Sequence, residues 1–256
     1  MTVSAATFAE RNRTIIMEEL RRLMPGKEDL RTALPCGLAT LDSHLPQGGL
    51  TCGSLHEIVP ETGATAAAFG FTAALLVRLT GSRPFVFVAP AHEARERGRL
   101  YGHGLYAFGL DPGRLILVET AHRKDTLWAL EEALHSGAPA AVAGVIDQLD
   151  LKLSQRLQLA AVAASLPLFL LRPAQNLESS AAATRWRVGT AEAARDRFGL
   201  FARPRWHLQL ERCRNGRPGE WLVEYDHVAH RFSLAAALAD PAVSRGTGEK
   251  TFRRAG

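Results

Sequence analysis

The sequence predicts an α/β protein: a parallel sheet flanked by helices, with antiparallel strands or a hairpin extending it at the C-terminal end. Three observations predict this. Short strands that are apolar on both faces, such as Pro84–Ala89 (PFVFVA) and Leu166–Leu171 (LPLFLL), belong to sheets covered on both sides. Helical segments long enough for parallel crossovers separate these strands. After residue 183 the pattern changes to polar–apolar alternation, as in strands with one face open to water.

The elements follow in order. Residues 5–24 read as an amphipathic helix. Phe8, Ile15, Ile16, Leu20, Leu23 and Met24 form its apolar stripe, charged residues fill the other face, and Pro25-Gly26 ends it. Residues 25–54 are rich in Gly and Pro and suggest an ordered loop region around a helical turn at Leu38–Leu45. Ser54–Val59 is a short apolar strand. Thr65–Leu79 is a nearly uncharged helix, so it is buried or half buried. Strand Pro84–Ala89, helix Glu93–Phe108, strand Arg114–Glu119, helix Arg123–His135, strand Ala140–Ile146, helix Lys152–Ser165 and strand Leu166–Leu171 continue the alternation. Thr184–Val188, Arg205–Arg212 and Glu220–Asp226 are alternating strands, and Cys213–Gly219 is the turn of a hairpin between the last two. The expected division is an N-terminal helix (1–30), a core domain (31–239) and a flexible basic tail (240–256).

Composition narrows the class. The 256 residues, 46% hydrophobic, suffice for a buried core and exclude a disordered chain. No apolar run is long enough to span a membrane, and the start lacks the basic and apolar regions of a secretory signal. Cys36, Cys52 and Cys213 form neither a disulfide framework nor a zinc pair, and the histidines show no metal-ligand spacing. The expectation is a reducing, cytoplasmic compartment, with no metal and no cofactor.

Charge is unevenly spread. Lys plus Arg number 31 and Asp plus Glu 26, a net +5. Residues 1–171 hold 16 basic and 17 acidic side chains, whereas residues 172–256 hold 15 and 9. The excess is almost all arginine, since the only lysines are Lys27, Lys124, Lys152 and Lys250. A basic end on a neutral body suggests nucleic acid or an acidic protein surface.

The strand–turn–helix at residues 55–79 is the setting of a phosphate-binding P-loop, GxxxxGK[ST]. In that motif backbone N–H groups and a lysine hold the phosphates and a hydroxyl binds magnesium. Here the turn reads Pro60-Glu61-Thr62-Gly63-Ala64-Thr65. Thr65 or Ala64 replaces the lysine, and the next two positions are alanines.

The flanking residues carry a resemblance. Gly37-x-x-x-Leu41-Asp42, then Gly48-Gly49-Leu50-x-x-Gly53-x-Leu55-x-Glu57-Ile58 directly before Pro60-Glu61, is similar to the segment that leads into the Walker A loop of the RecA recombinase family. The strand Ala140–Ile146 ending in Asp147 resembles that family's Walker B strand. The family's catalytic glutamate would follow Pro84–Ala89, where Pro90-Ala91-His92-Glu93 stands. Glu93 is therefore displaced, or Ala91 fills the position. Asp147 is expected to cap a helix or loop.

Within that superfamily the chain resembles the ImuA family, RecA-like and SulA-related proteins of bacterial mutagenesis cassettes without a working Walker A loop. The likeness adds Leu34-Pro-Cys-Gly37-Leu, Arg156-Leu-Gln-Leu159-Ala-Ala, Thr184-Arg-Trp-Arg187-Val and Arg205-Trp-His-Leu208 with Glu211-Arg-Cys213-Arg. It implies a non-enzymatic role in error-prone translesion synthesis in the SOS response to DNA damage, in the cytoplasm and at the nucleoid. Its implied partners are an inactive Y-family polymerase relative of the ImuB type, a DnaE-type polymerase, and further RecA. The likeness to RecA-like proteins also implies self-association or partner docking through the N-terminal helix, which could otherwise simply cover the sheet.

Residues 185–217 hold nine arginines, Arg185, Arg187, Arg195, Arg197, Arg203, Arg205, Arg212, Arg214 and Arg217, against Glu192, Asp196 and Glu211. Alternation on a strand sends Arg185 and Arg187 to one face and Trp186 to the other, into the core, and sets Arg205 opposite Trp206. Arg185, Arg187, Arg203, Arg205, Arg212 and Arg214 are the candidate contacts for single-stranded DNA phosphates or an acidic partner strip. Two alternatives stay open. One is a divergent RecA-like ATPase using Thr65 or Thr62 and a cation from a neighbour. The other is a SulA-like inhibitor of cell division.

Overall fold

A computed structural model describes residues 33–79, 83–174, 178–195, 198 and 200–235. The helix expected over 5–24 and the tail 240–256 lie outside the described residues.

The α/β expectation holds. A nine-stranded sheet dominates, flanked by helices. Its parallel part uses β3 (Leu55–Pro60), β4 (Phe85–Pro90), β5 (Leu115–Thr120), β6 (Ala141–Val145), β7 (Leu168–Leu171) and β8 (Thr184–Arg195). Antiparallel strands β9 (Phe201–Cys213), β10 (Gly219–Asp226) and β11 (Arg231–Leu234) extend it beyond β8. The order is β11-β10-β9-β8-β3-β7-β6-β4-β5. A separate two-stranded ribbon joins β1 (Ala33–Leu34) to β2 (Leu50–Thr51) around the short helix α1 (Ala39–Asp42).

Helix α2 (Thr65–Val77) lies on one face, and α5 (Arg123–His135) and α6 (Leu151–Ala164) lie on the other. Residues of β6 and β7 are buried throughout, as strands covered on both faces must be. Leu55 and Leu168 pack with Leu130 and Leu157 of α5 and α6, whereas Ile58 and Phe169 pack with Phe71 and Leu75 of α2. The α2 core continues under the antiparallel extension, taking in Trp186, Trp206, Trp221, Tyr225 and Phe232. Gly70 makes this closure possible: a Cβ there would lie 2.8 Å from the Trp206 ring and 3.1 Å from Phe108.

Three expectations need correction. The helix expected over Glu93–Phe108 is two helices, α3 (Ala91–Arg97) and α4 (Gly102–Ala107). Gly98 ends α3 at φ +84°, in the left-handed region, and Gly102 and Gly104 further weaken helical continuity. The antiparallel strands run longer than expected. Pro204 offers no N–H, yet β9 continues through it, opposite register shifts between Ala191 and Arg195 of β8. Helix α6 is capped by Asp150, whose carboxylate accepts from Leu153 N at 2.8 Å. Asp147 does not hold that position.

Candidate functional site

The P-loop-like turn is fixed by its neighbours. Glu61 N donates to Val188 O of β8 at 2.8 Å, and Ala64 N donates to Glu61 O at 2.9 Å. Gly63 takes φ +78°. Ala64 is buried at the start of α2, while Thr62 and Gly63 are exposed. The Glu61 carboxylate meets His207 Nδ1 of β9 at 3.2 Å, and His207 Nε2 meets Glu220 Oε1 of β10 at 2.6 Å. A carboxylate only accepts, so the two contacts favour the protonated ring, in which both nitrogens donate. Burial alone would lower its pKa, but the hydrogen bonds and charges of Glu220 and Glu61 outweigh burial and raise it. The turn is therefore tied to the sheet by an acidic side chain, while Ala64 and Thr65 leave the lysine position without a cation.

Across α2, the ends of β4 and β6 bring His92, Glu93 and Asp147 together, with their donor atoms within 4.8 Å of one another. His92 Nε2 lies 3.4 Å from Asp147 Oδ2 and 3.8 Å from Glu93 Oε1. Glu93 is turned inward and forms an ion pair with Arg97. Ala91 opens α3, so Glu93, not Ala91, supplies the carboxylate at this end of the sheet. One imidazole and two carboxylates are a possible donor set for a divalent cation, but Arg97 already occupies Glu93. Beside them a cavity of about 680 Å³ is lined by Phe69, Phe87, Leu105, Phe108 and Leu117, with Thr65 and Glu93 at its border. Its walls are mostly apolar, and the two arginines that also line it, Arg97 and Arg99, are paired with Glu93 and Glu119.

The basic strands sort into two kinds. Trp186 is fully buried, as alternation requires, and its Nε1 donates to Thr184 Oγ1 at 3.1 Å. Thr184 Oγ1 in turn lies 2.8 Å from Nδ1 of buried His56, whose Nε2 is 3.1 Å from Thr51 O. This network is satisfied with a neutral imidazole, and burial pushes the His56 pKa down to about 4. On the other face Arg185 bonds Glu57, which is fully buried and also holds Arg172 Nη1 at 2.8 Å. Register slips between Arg185 and Trp186, so Arg185 opposes Arg212 and Trp186 opposes Leu210. Glu211 is left unopposed in that slip and forms an ion pair with Arg187. Arg205 bonds Glu224 at 2.7 Å, and Arg203 bonds Asp226 at 2.8 Å.

Arg212 and Arg214 differ. Arg212 donates to Ser180 O at 2.8 Å and Ala182 O at 3.0 Å, and Arg214 donates to Ala181 O at 2.7 Å. The six candidate arginines thus divide between the two ends of the β8–β9 ladder and do not share one electrostatic state. Sequence reasoning missed His207, Arg172 and the buried role of Glu57. A charged residue on an otherwise apolar strand was the only available signal for Glu57. His207 had none, because its partners lie 146 and 13 residues away in the chain.

No family model matches the chain. Over 239 residues it is 34% identical to Protein ImuA from two strains of Caulobacter vibrioides, covering 86% of this chain and 95% of those proteins.

Proposed function

Because the chain belongs to the ImuA family, we propose that it is a non-catalytic accessory protein of error-prone translesion DNA synthesis. In this reading it works as an adaptor after DNA damage, in the cytoplasm and at the nucleoid. Its partners are an ImuB-type relative of the Y-family polymerases, a DnaE-type polymerase and RecA, with single-stranded DNA as a further ligand. The basic strands bearing Arg185, Arg187, Arg203, Arg205, Arg212 and Arg214 are its interaction surface, and the N-terminal helix serves self-association.

The observation that carries the non-catalytic reading is the turn Glu61–Thr65. It offers no lysine, and its one charged side chain is a carboxylate held by His207. A triphosphate at this turn would lack the loop lysine that neutralises it, and His207 is already held between Glu61 and Glu220. The purified full chain is expected to show no ATP binding or turnover, with or without single-stranded DNA. Turnover at recombinase-like rates would overturn the reading.

A divergent ATPase is the second reading, favoured by the convergence of His92, Glu93 and Asp147 beside Thr65. The same assay decides, because that reading requires hydrolysis to be lost in Asp147→Asn.

A further inference from the structure

Sorting the arginines by partner isolates a group whose charge the fold leaves uncancelled. Arg185, Arg187, Arg203 and Arg205 each meet a carboxylate. Arg212, Arg214 and Arg217, at the β9–β10 hairpin, donate to main-chain carbonyls. Their acceptors are Ser180 O, Ala182 O, Ala181 O and, at 3.5 Å, Ser43 O. Among the described residues, none of these three pairs with a carboxylate. A carbonyl positions a guanidinium but does not neutralise it, and each guanidinium has five N–H donors, of which only one or two are used here.

The hairpin that presents them is clamped from two sides. Arg214 N donates to Ala183 O at 2.7 Å, and Arg217 N donates to His44 O at 2.9 Å. His44 Nδ1 returns a contact to Pro218 O at 2.9 Å. Asn215 takes φ +61° at the tip. Three full positive charges therefore stand on a turn whose backbone is held in place.

The surroundings select the ligand class. Ser43, Asn215 and Ser179 are exposed beside the turn. The exposed large apolar side chains, such as Trp128, Leu159, Ile116 and Tyr106, lie on other elements. A protein-docking patch has an apolar centre, whereas a nucleic-acid surface is polar and strongly positive. We propose that the hairpin Arg212–Arg217 contacts the phosphate backbone of a nucleic-acid strand. This names the ligand of the basic-strand site above and rests on reading that site as an interaction surface.

The test is anisotropy of a labelled oligothymidylate titrated with the full chain across a sodium chloride series. Three phosphate contacts on a single strand give a slope of log K against log salt near −2. The double substitution Arg214→Gln with Arg217→Gln is expected to weaken binding about tenfold at low salt and to flatten the slope by about 1.4. Arg99→Gln with Arg156→Gln removes the same charge from groups paired with Glu119 and Glu131, outside the basic strands, and is expected to change the slope little. Unchanged melting temperature would show that each variant is folded. Equal losses in both variants would mean a diffuse field and overturn the assignment. So would tighter binding to a polyglutamate peptide than to the oligonucleotide. A chain that binds no oligonucleotide and also hydrolyses no ATP would sink the hairpin assignment alone and leave the adaptor reading standing.

Discussion

The parallel half of the sheet and its antiparallel extension bury charge by different rules. In β3, β6 and β7 both faces are covered, so a charged side chain must be paired in the interior, as Glu57 is with Arg172. In β8 to β10 one face packs on α2 and the other is open. There the charges pair with one another at the surface, Arg187 with Glu211 and Arg203 with Asp226. Among the described arginines of β8 to β10, those at the hairpin bond carbonyls alone. A count of arginines in the sequence therefore overstates the charge available to a ligand, and the partner of each one decides.

Three experiments break or sharpen this contrast. The largest effect is expected on the inner face of the extension. Trp186→Ala should cost about 3–5 kcal/mol in denaturant unfolding, from lost burial, the cavity left behind and the stranded Thr184–His56 network. Trp128→Ala, at a site 64% exposed, should stay within about 0.5 kcal/mol. Similar costs would mean that the extension does not share the α2 core.

Next comes charge. Glu57→Gln should cost about 3 kcal/mol, because it leaves the buried Arg172 guanidinium uncompensated. Glu211→Gln, which breaks a partly exposed pair, should cost less than about 1 kcal/mol on the same unfolding curves.

The smallest effects lie in the pH dependence, and they carry opposite signs. The folded pKa of His56 is lowered to about 4, so the unfolded chain takes up the proton first. The stability associated with neutral His56 is present above about 6.5 and is lost as the pH falls from there to about 4. The folded pKa of His207 is raised. Its contribution is full below about 6.5 and is lost as the pH rises through the raised value. Urea midpoints measured across the pH range should fall on both sides, and His207→Gln should flatten the alkaline limb only. A flattened acid limb in that variant would assign the acid loss to the wrong histidine.

Much of the fold was legible because burial leaves a period in the sequence. The two-sided strands and the uncharged helix α2 could be read directly, and alternation placed Trp186 inward and Arg185 on the opposite face, where it meets buried Glu57. Helix breaks were less legible. Gly98 ends α3 through its backbone angle, while the apolar stripe around it runs on uninterrupted. The candidate site was half legible. The missing lysine is visible as a residue identity. The Glu61–His207–Glu220 chain and the division of the arginines depend on which side chains meet across strands, and no local pattern records that. Strand β11 was missed because four residues of mixed polarity, Arg231–Leu234, carry too short a period to read.

Gly70 has a mechanical consequence. With no side chain on α2 at that point, the Trp206 and Phe108 rings rest directly on the helix, and α2 starts at the turn that holds Glu61. A load applied to β9 by whatever docks at its hairpin reaches the helix behind that turn through this contact, beside those of Phe71 with Trp186 and Phe232. Gly70→Val should loosen that joint and let amide exchange in α2 and β9 proceed independently, where the native chain would exchange them together.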